Sequence, residues 1–211
     1  MHRFLLFVLS MFCVHGLFAQ EIDSIPFDKP FRLTMGPKVG VGVSMGSHSN
    51  FHDMDFSPGL AYQFGAVFNA HFGRRFDLSD GGTGFLGLQV EANYSKRIVK
   101  LNSSPLSERC LEVPVLVQCY LSPTMALEAG ATMVHLFGCS PAILDYQGAH
   151  FNTGGIKGND VMLSVGACYK SSFGLMLDVR YNLGCSNLAG NFDTKISTAM
   201  ASIVYLFTIV K

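Results

Sequence analysis

The chain has 211 residues, enough for one domain of ordinary size, and its 15 basic and 15 acidic side chains leave a formal charge of zero. It is 49% apolar and only 14% charged, with 22 glycines and a mean hydropathy of +0.31, greasy for a water-soluble domain. No run after residue 20 supplies the roughly 18 unbroken apolar residues of a membrane helix, and no segment gathers Lys or Arg as a nucleic-acid surface does, so a helical membrane protein and a nucleic-acid-binding protein are both excluded.

His2 and Arg3 give a positive start, Phe4 to Val14 an apolar core, and Leu17-Phe18-Ala19 a small-residue ending, the pattern of a secretory signal peptide over 1–19. Cys13 lies inside the apolar core without a small-residue approach, which argues against a lipoprotein. The expected mature chain, 20–211, is a single domain. It keeps Cys110, Cys119, Cys139, Cys168 and Cys185. An odd number excludes a fully paired disulfide framework, and the pairing among these five stays open; a Cys110–Cys139 bridge is geometrically possible.

From Leu60 to Phe72 every even residue is apolar, whereas the odd ones include Gln63, Gly65, Asn69 and His71. That is the period of a strand, and a helix could not hold the two sets apart. The segment from Leu86 to Ser95 repeats it, with Leu86, Leu88, Val90, Ala92 and Tyr94 on one face and Gly87, Gln89, Glu91, Asn93 and Ser95 on the other. Met35–Met45, Arg109–Leu121, Thr124–Phe137, Asp160–Lys170, Phe173–Leu183 and Lys195–Phe207 also fit, for eight strands in all. They take roughly half of the mature chain, about twice the usual strand share, which points to a closed sheet.

Only Ser122-Pro123 and Ser171-Ser172 separate the fourth from the fifth strand and the sixth from the seventh, so these pairs are antiparallel hairpins. The alternate connections, 46–58, 97–108, 138–159 and 184–194, are long. Short turns at one end and long loops at the other describe an all-β, eight-stranded antiparallel up-and-down transmembrane β-barrel with the turns periplasmic and the loops outside. The connection 73–83 is longer than its siblings.

A soluble lipocalin-like barrel also alternates, with its apolar row turned inward. Aromatic placement discriminates. Tyr62, Tyr94, Phe137 and Tyr181 fall at the upper ends of the apolar rows, and Phe72, Tyr169, Phe173, Tyr205 and Phe207 at the lower ends. Two aromatic girdles bracketing Leu, Val and Ala are what a lipid-facing surface needs. The opposite rows, mostly small or amide side chains, are too poor in Lys and Glu for a solvated exterior.

The segments "GLQVEANYSKR" (87–97), "LEVPVLVQCYL" (111–121), "LDVRYNLG" (177–184) and the terminal "VYLF" (204–207) resemble the PorT-type outer-membrane β-barrel family of Bacteroidota. The resemblance rests on Glu91 and Tyr94, on Glu112-x-Pro114 and on Arg180-Tyr181, and it covers nearly the whole mature chain. It implies an eight-stranded barrel in the outer membrane of a Gram-negative bacterium. Through the member that names the family, it also implies an accessory part in type IX-like protein secretion.

The inward rows carry Glu91, Glu112, Glu128, Asp178, Arg180 and Lys170, with Gln89, Asn93 and Gln118 between them. An eight-stranded barrel is just wide enough to be filled by such side chains, so a lumenal charge cluster is expected. Glu91, Asp178 and Arg180 are placed near mid-height, Glu112 nearer the outer mouth and Glu128 nearer the periplasmic one. Catalysis is not expected, because a filled lumen admits no substrate. His48, His52, Asp53 and Asp55 share a Gly- and Ser-flanked loop without helical metal-site spacing, and Gly40, Gly42 and Gly46 lie on a strand face that needs small residues, so neither a metal nor a nucleotide site is expected, and no cofactor. Loop 138–159 is unusually apolar, with Ile143, Leu144, Tyr146 and Phe151. Such a loop suits contact with outer-membrane lipid or with another surface or periplasmic protein. A structural or interaction module, an accessory secretion component and a narrow pore for ions or small amphiphiles all remain open, as does the oligomeric state.

Overall fold

A computed structural model of the protein describes residues 31–48, 56–72, 86–101, 104–122, 124–140, 143–146, 149–152, 158–185 and 194–210. Its strands in chain order are β1 (Phe31–His48), β2 (Phe56–Ser57), β3 (Gly59–Phe72), β4 (Leu86–Leu101), β5 (Ser104–Tyr120), β6 (Met125–Ser140), β7 (Ile143–Tyr146), β8 (Ala149–Asn152), β9 (Gly158–Lys170), β10 (Leu175–Gly184), β11 (Thr194–Tyr205) and β12 (Phe207–Val210). Eight staves, with β12 continuing β11 past Leu206, run in the order β1, β3, β4, β5, β6, β9, β10, β11. Each is antiparallel to its neighbours, and β11 pairs back with β1 from Lys38↔Val204 to His48↔Thr194. Closure gives every stave two partners and abolishes sheet edges.

The two faces answer the question of solvent. On β10, Asp178, Arg180 and Asn182 are buried, while Leu177, Val179, Tyr181 and Leu183 face out. Val41 is 63% exposed and Val179 54%, whereas Lys38 and Glu91 are each 1% exposed. Apolar outside and ionic inside is the reverse of a soluble barrel and the arrangement that a hydrocarbon surround stabilises. Inside, an apolar cluster of Val67, Tyr120, Ala126, Cys168, Met176 and Val204 joins the polar rows.

At the turn end, Leu121 N and Ser122 N both donate to Met125 O (2.9 and 3.2 Å), closing β5 to β6. The β9–β10 turn is longer than the two residues expected. β10 starts at Leu175, not Phe173, and Phe173 sits exposed in the turn. Gly174 makes this turn possible with φ of +95°, a backbone conformation open to glycine at little cost. Its carbonyl accepts from Leu206 N (2.7 Å), at the break between β11 and β12.

The loop end departs further from expectation. Segment 97–108 is not a loop, because β4 and β5 stay paired through Arg97↔Glu108 to Leu101↔Ser104. The outward row changes there from apolar to Lys96, Ile98 and Lys100 while the alternation continues, since a strand above the membrane no longer needs an apolar face. Segment 138–159 contains the β7–β8 hairpin, with Leu144 opposite Phe151. His48 ends β1 rather than lying in a loop. His52, Asp53 and Asp55, segment 73–85 and the signal segment 1–19 lie outside the described residues.

Candidate functional site

The inward rows of four staves converge on one ionic cluster. Glu91 of β4 is its hub. Lys38 Nζ of β1 donates to both its oxygens (3.1 and 2.9 Å), as does Arg180 of β10 through Nη2 (2.8 Å) and Nη1 (3.2 Å). Gln89 and Asn93, two residues either side on β4, add amide donors at 2.6 and 2.7 Å. Asp178 Oδ2 takes Lys38 (2.6 Å) and Arg180 (2.7 Å), and Glu128 of β6 takes Arg180 Nε (2.8 Å). Two cations thus share three carboxylates, with every one of these side chains at most 4% exposed; in such burial charge-assisted hydrogen bonds are strong and unpaired charge is costly.

This geometry corrects one placement. Glu128 belongs to the central cluster rather than to the periplasmic end, because Gly166 is the register partner of both Glu128 and Arg180. Gly166 also leaves the room; a Cβ there would lie 2.6 Å from Val179 O and 3.1 Å from Glu128 Oε1. Lys38 is not among the residues singled out from the sequence. Its signal was the inward parity it shares with Gly40, Gly42 and Ser44.

Toward the turn end the lumen holds an amide layer. Asn69 Nδ2 donates to Gln118 Oε1 (2.7 Å) and Gln89 Oε1 (3.0 Å), and Gln118 Nε2 to Gln89 Oε1 (2.9 Å). Lys170 Nζ meets Asn69 Oδ1 (2.9 Å), Gln118 Oε1 (3.2 Å) and the Tyr120 hydroxyl. Below it a pocket of about 60 Å³ is lined by Arg32, Thr34, His71, Tyr120 and Lys170 among others. Arg32 Nη2 donates to Thr208 Oγ1 (2.8 Å).

Toward the loop end, Glu112 stands apart from the central cluster and accepts from Arg97 Nε (3.0 Å) and Nη2 (2.5 Å). Arg97 is the second cation not singled out, hidden in the segment read as a loop. Glu108 is fully buried nearby, and among the described residues neither of its oxygens has a hydrogen-bond partner. No group of three or more His, Cys, Asp or Glu among the described residues is placed to hold a metal ion. Cys110, Cys139 and Cys168 are buried thiols, and Cys119 and Cys185 exposed ones.

Outside, Phe72, Phe137, Tyr181, Tyr205 and Phe207 are exposed, and Tyr62, Tyr94 and Tyr169 half-buried. Tyr94 bridges the upper row, with ring centroids 5.2 Å from Phe64 and 6.4 Å from Phe137. Tyr205 meets Phe207 edge-on at 4.8 Å in the lower row.

A closed antiparallel barrel that is apolar outside, ionic inside and aromatic at both rims is a transmembrane β-barrel of the outer-membrane kind. Residues 18–190 match the family model described as outer membrane protein beta-barrel domain, and the chain belongs to that family. The protein is an outer-membrane β-barrel. No curated protein matches the sequence. Among solved structures the chain is similar to Neisserial surface protein A, at 13% identity and a TM-score of 0.50 over 82% of this chain and 97% of that one. It is also similar to Ail, the attachment invasion locus protein of Yersinia pestis, solved with the heparin analogue sucrose octasulfate (12% identity, TM-score 0.42, 83% and 99% covered). A third similar structure is the outer membrane enzyme PagL (13%, 0.44, 79% and 98%). At these identities the likeness concerns the fold alone.

Proposed function

We propose that the protein is a structural and interaction module of the outer membrane, that its lumen is closed by its own ion pairs, and that it meets partners through its loop end. The observation that carries this reading is the contact of Arg180 with Glu91 at 2.8 Å. These residues stand on β10 and β4, four places apart in a ring of eight, so their bridge spans the full width of the barrel. A solute would have to break it to pass. What is left for function is the outer surface, above all the hairpin carrying Ile143, Leu144, Tyr146 and Phe151. The same reading takes 1–19 as a cleaved signal peptide, 20–211 as one barrel domain and the barrel as non-enzymatic.

The test is a photo-crosslinking residue placed at Tyr146 or Phe151 in living cells, with Phe173 in the opposite turn as control. A discrete crosslinked partner from the hairpin positions and none from Phe173 is the expected result. A partner captured from Phe173 alone would favour the second reading, an accessory secretion role of the PorT type in a Bacteroidota outer membrane. That reading rests on the Glu112-x-Pro114 and Arg180-Tyr181 motifs.

A further inference from the structure

On β4 and β5 the outward side chains are apolar from the turn end up to the facing pair Tyr94↔Leu111, and the next outward pair is Lys96↔Arg109. Lys100 follows four residues further along the same face of β4. Arg109 and Lys100 are exposed and Lys96 half-buried. Among the described residues, no ion pair or hydrogen bond neutralises any of the three side chains. Among the described residues of β4 and β5, the carboxylates Glu91, Glu108 and Glu112 are all buried in the lumen.

Directly opposed like charges on adjacent strands destabilise a sheet, so a Lys96–Arg109 pair that no described residue neutralises is a cost that an anion between them would reverse. The place selects the anion. The pair sits one outward rung above the aromatic Tyr94, on the wall that faces lipid, at the level where headgroups begin. Long cationic stems lie along apolar surface and present their heads at such an interface. An Arg fork beside an ammonium matches a phosphate group carrying nearly two charges better than it matches a single carboxylate.

We infer that Lys96 and Arg109, with Lys100 above them, form a binding site for a phosphate monoester on a membrane lipid headgroup, distinct from the phosphodiester of an ordinary phospholipid. The site needs only the membrane location and the register, so it stands or falls independently of what the hairpin contacts.

The test uses the full barrel in nanodiscs of zwitterionic phospholipid, with phosphorylated lipid A or the same lipid A after phosphatase treatment, and with inorganic phosphate as a separate arm. The phosphorylated lipid is expected to raise the thermal midpoint and to stay with the barrel through detergent exchange. The dephosphorylated lipid and inorganic phosphate are expected to do neither. Lys96→Gln with Arg109→Gln should weaken lipid retention about tenfold or more, as loss of two charge-assisted contacts implies, while its midpoint without lipid A stays at or above that of the parent. Lys195→Gln, an exposed cation on β11, should retain the lipid like the parent. Equal retention by parent and double variant, an equal response to dephosphorylated lipid or inorganic phosphate, or an equal loss in Lys195→Gln would overturn the assignment. If the double variant does not refold, Lys96→Gln against Lys96→Arg decides: retention lost in the first and kept in the second supports the site, and no difference refutes it.

Discussion

Arg180 and Glu91 approach within 2.8 Å from opposite walls of the barrel. Lys38 and Asp178 complete the bridge, and Glu128 holds the guanidinium from a fourth stave. The cluster therefore ties β1, β4, β6 and β10 together across the lumen, where backbone pairing joins only adjacent staves.

Removing Arg180 leaves Glu91 and Asp178 to Lys38 and leaves Glu128 without an ion pair among the described residues. Arg180→Met is expected to cost about 3–5 kcal/mol, the penalty for stranding buried charge, and to lower the urea midpoint of the refolded barrel. Adding Glu128→Gln should recover part of that loss, because Arg180 is the only ionic partner of Glu128 among the described residues. Parental midpoints in both variants would show that the cluster contributes nothing to stability.

Depth in the membrane can be read from arginine substitutions along one stave. Val90 of β4 faces out below the Tyr94 rim and Ile98 faces out above it. Val90→Arg is expected to cost about 2–4 kcal/mol and Ile98→Arg about 0–1 kcal/mol, measured by reversible unfolding in lipid vesicles. Equal costs would move the rim.

The β9–β10 turn depends on one glycine. Gly174→Ala would place a Cβ 2.7 Å from Leu206 O at a φ of +95°. A loss of about 1–3 kcal/mol follows from such backbone strain, to be measured as a lowered unfolding midpoint.

Orientation is checked by thiols. Cys185 is exposed at the loop end, just past β10, whereas Cys119 faces out one residue from the turn-end limit of β5. A membrane-impermeant maleimide applied to intact cells is expected to label Cys185, and to reach Cys110, Cys139 and Cys168 only after denaturation. Labelling of Cys119 but not Cys185 would invert the barrel.

Much of this architecture is legible in period-two alternation, because a stave between lipid and a polar lumen must alternate along its whole length. Gln89, Glu91 and Asn93 declare their face by parity alone. The differences between sequence and structure have separate causes. Lys96 and Lys100 interrupt the apolar row of β4, which hides Arg97 between them and so the partner of Glu112. Height along a strand is also a poor guide to height in a barrel whose staves tilt and stagger. Glu128 and Arg180 meet through the register of β6, β9 and β10, which no single segment reveals. The four-residue strands of the β7–β8 hairpin are too short to establish a period.

The central claim, that ion pairs close the lumen and leave function to the outer surface, is tested most directly by single-channel recording of the refolded barrel in planar bilayers. The parent is expected to insert without discrete conductance steps, and the triple variant Lys38→Ala, Glu91→Ala, Arg180→Ala to show them. Stable, reproducible steps from the parent protein would contradict the account and make the barrel a pore.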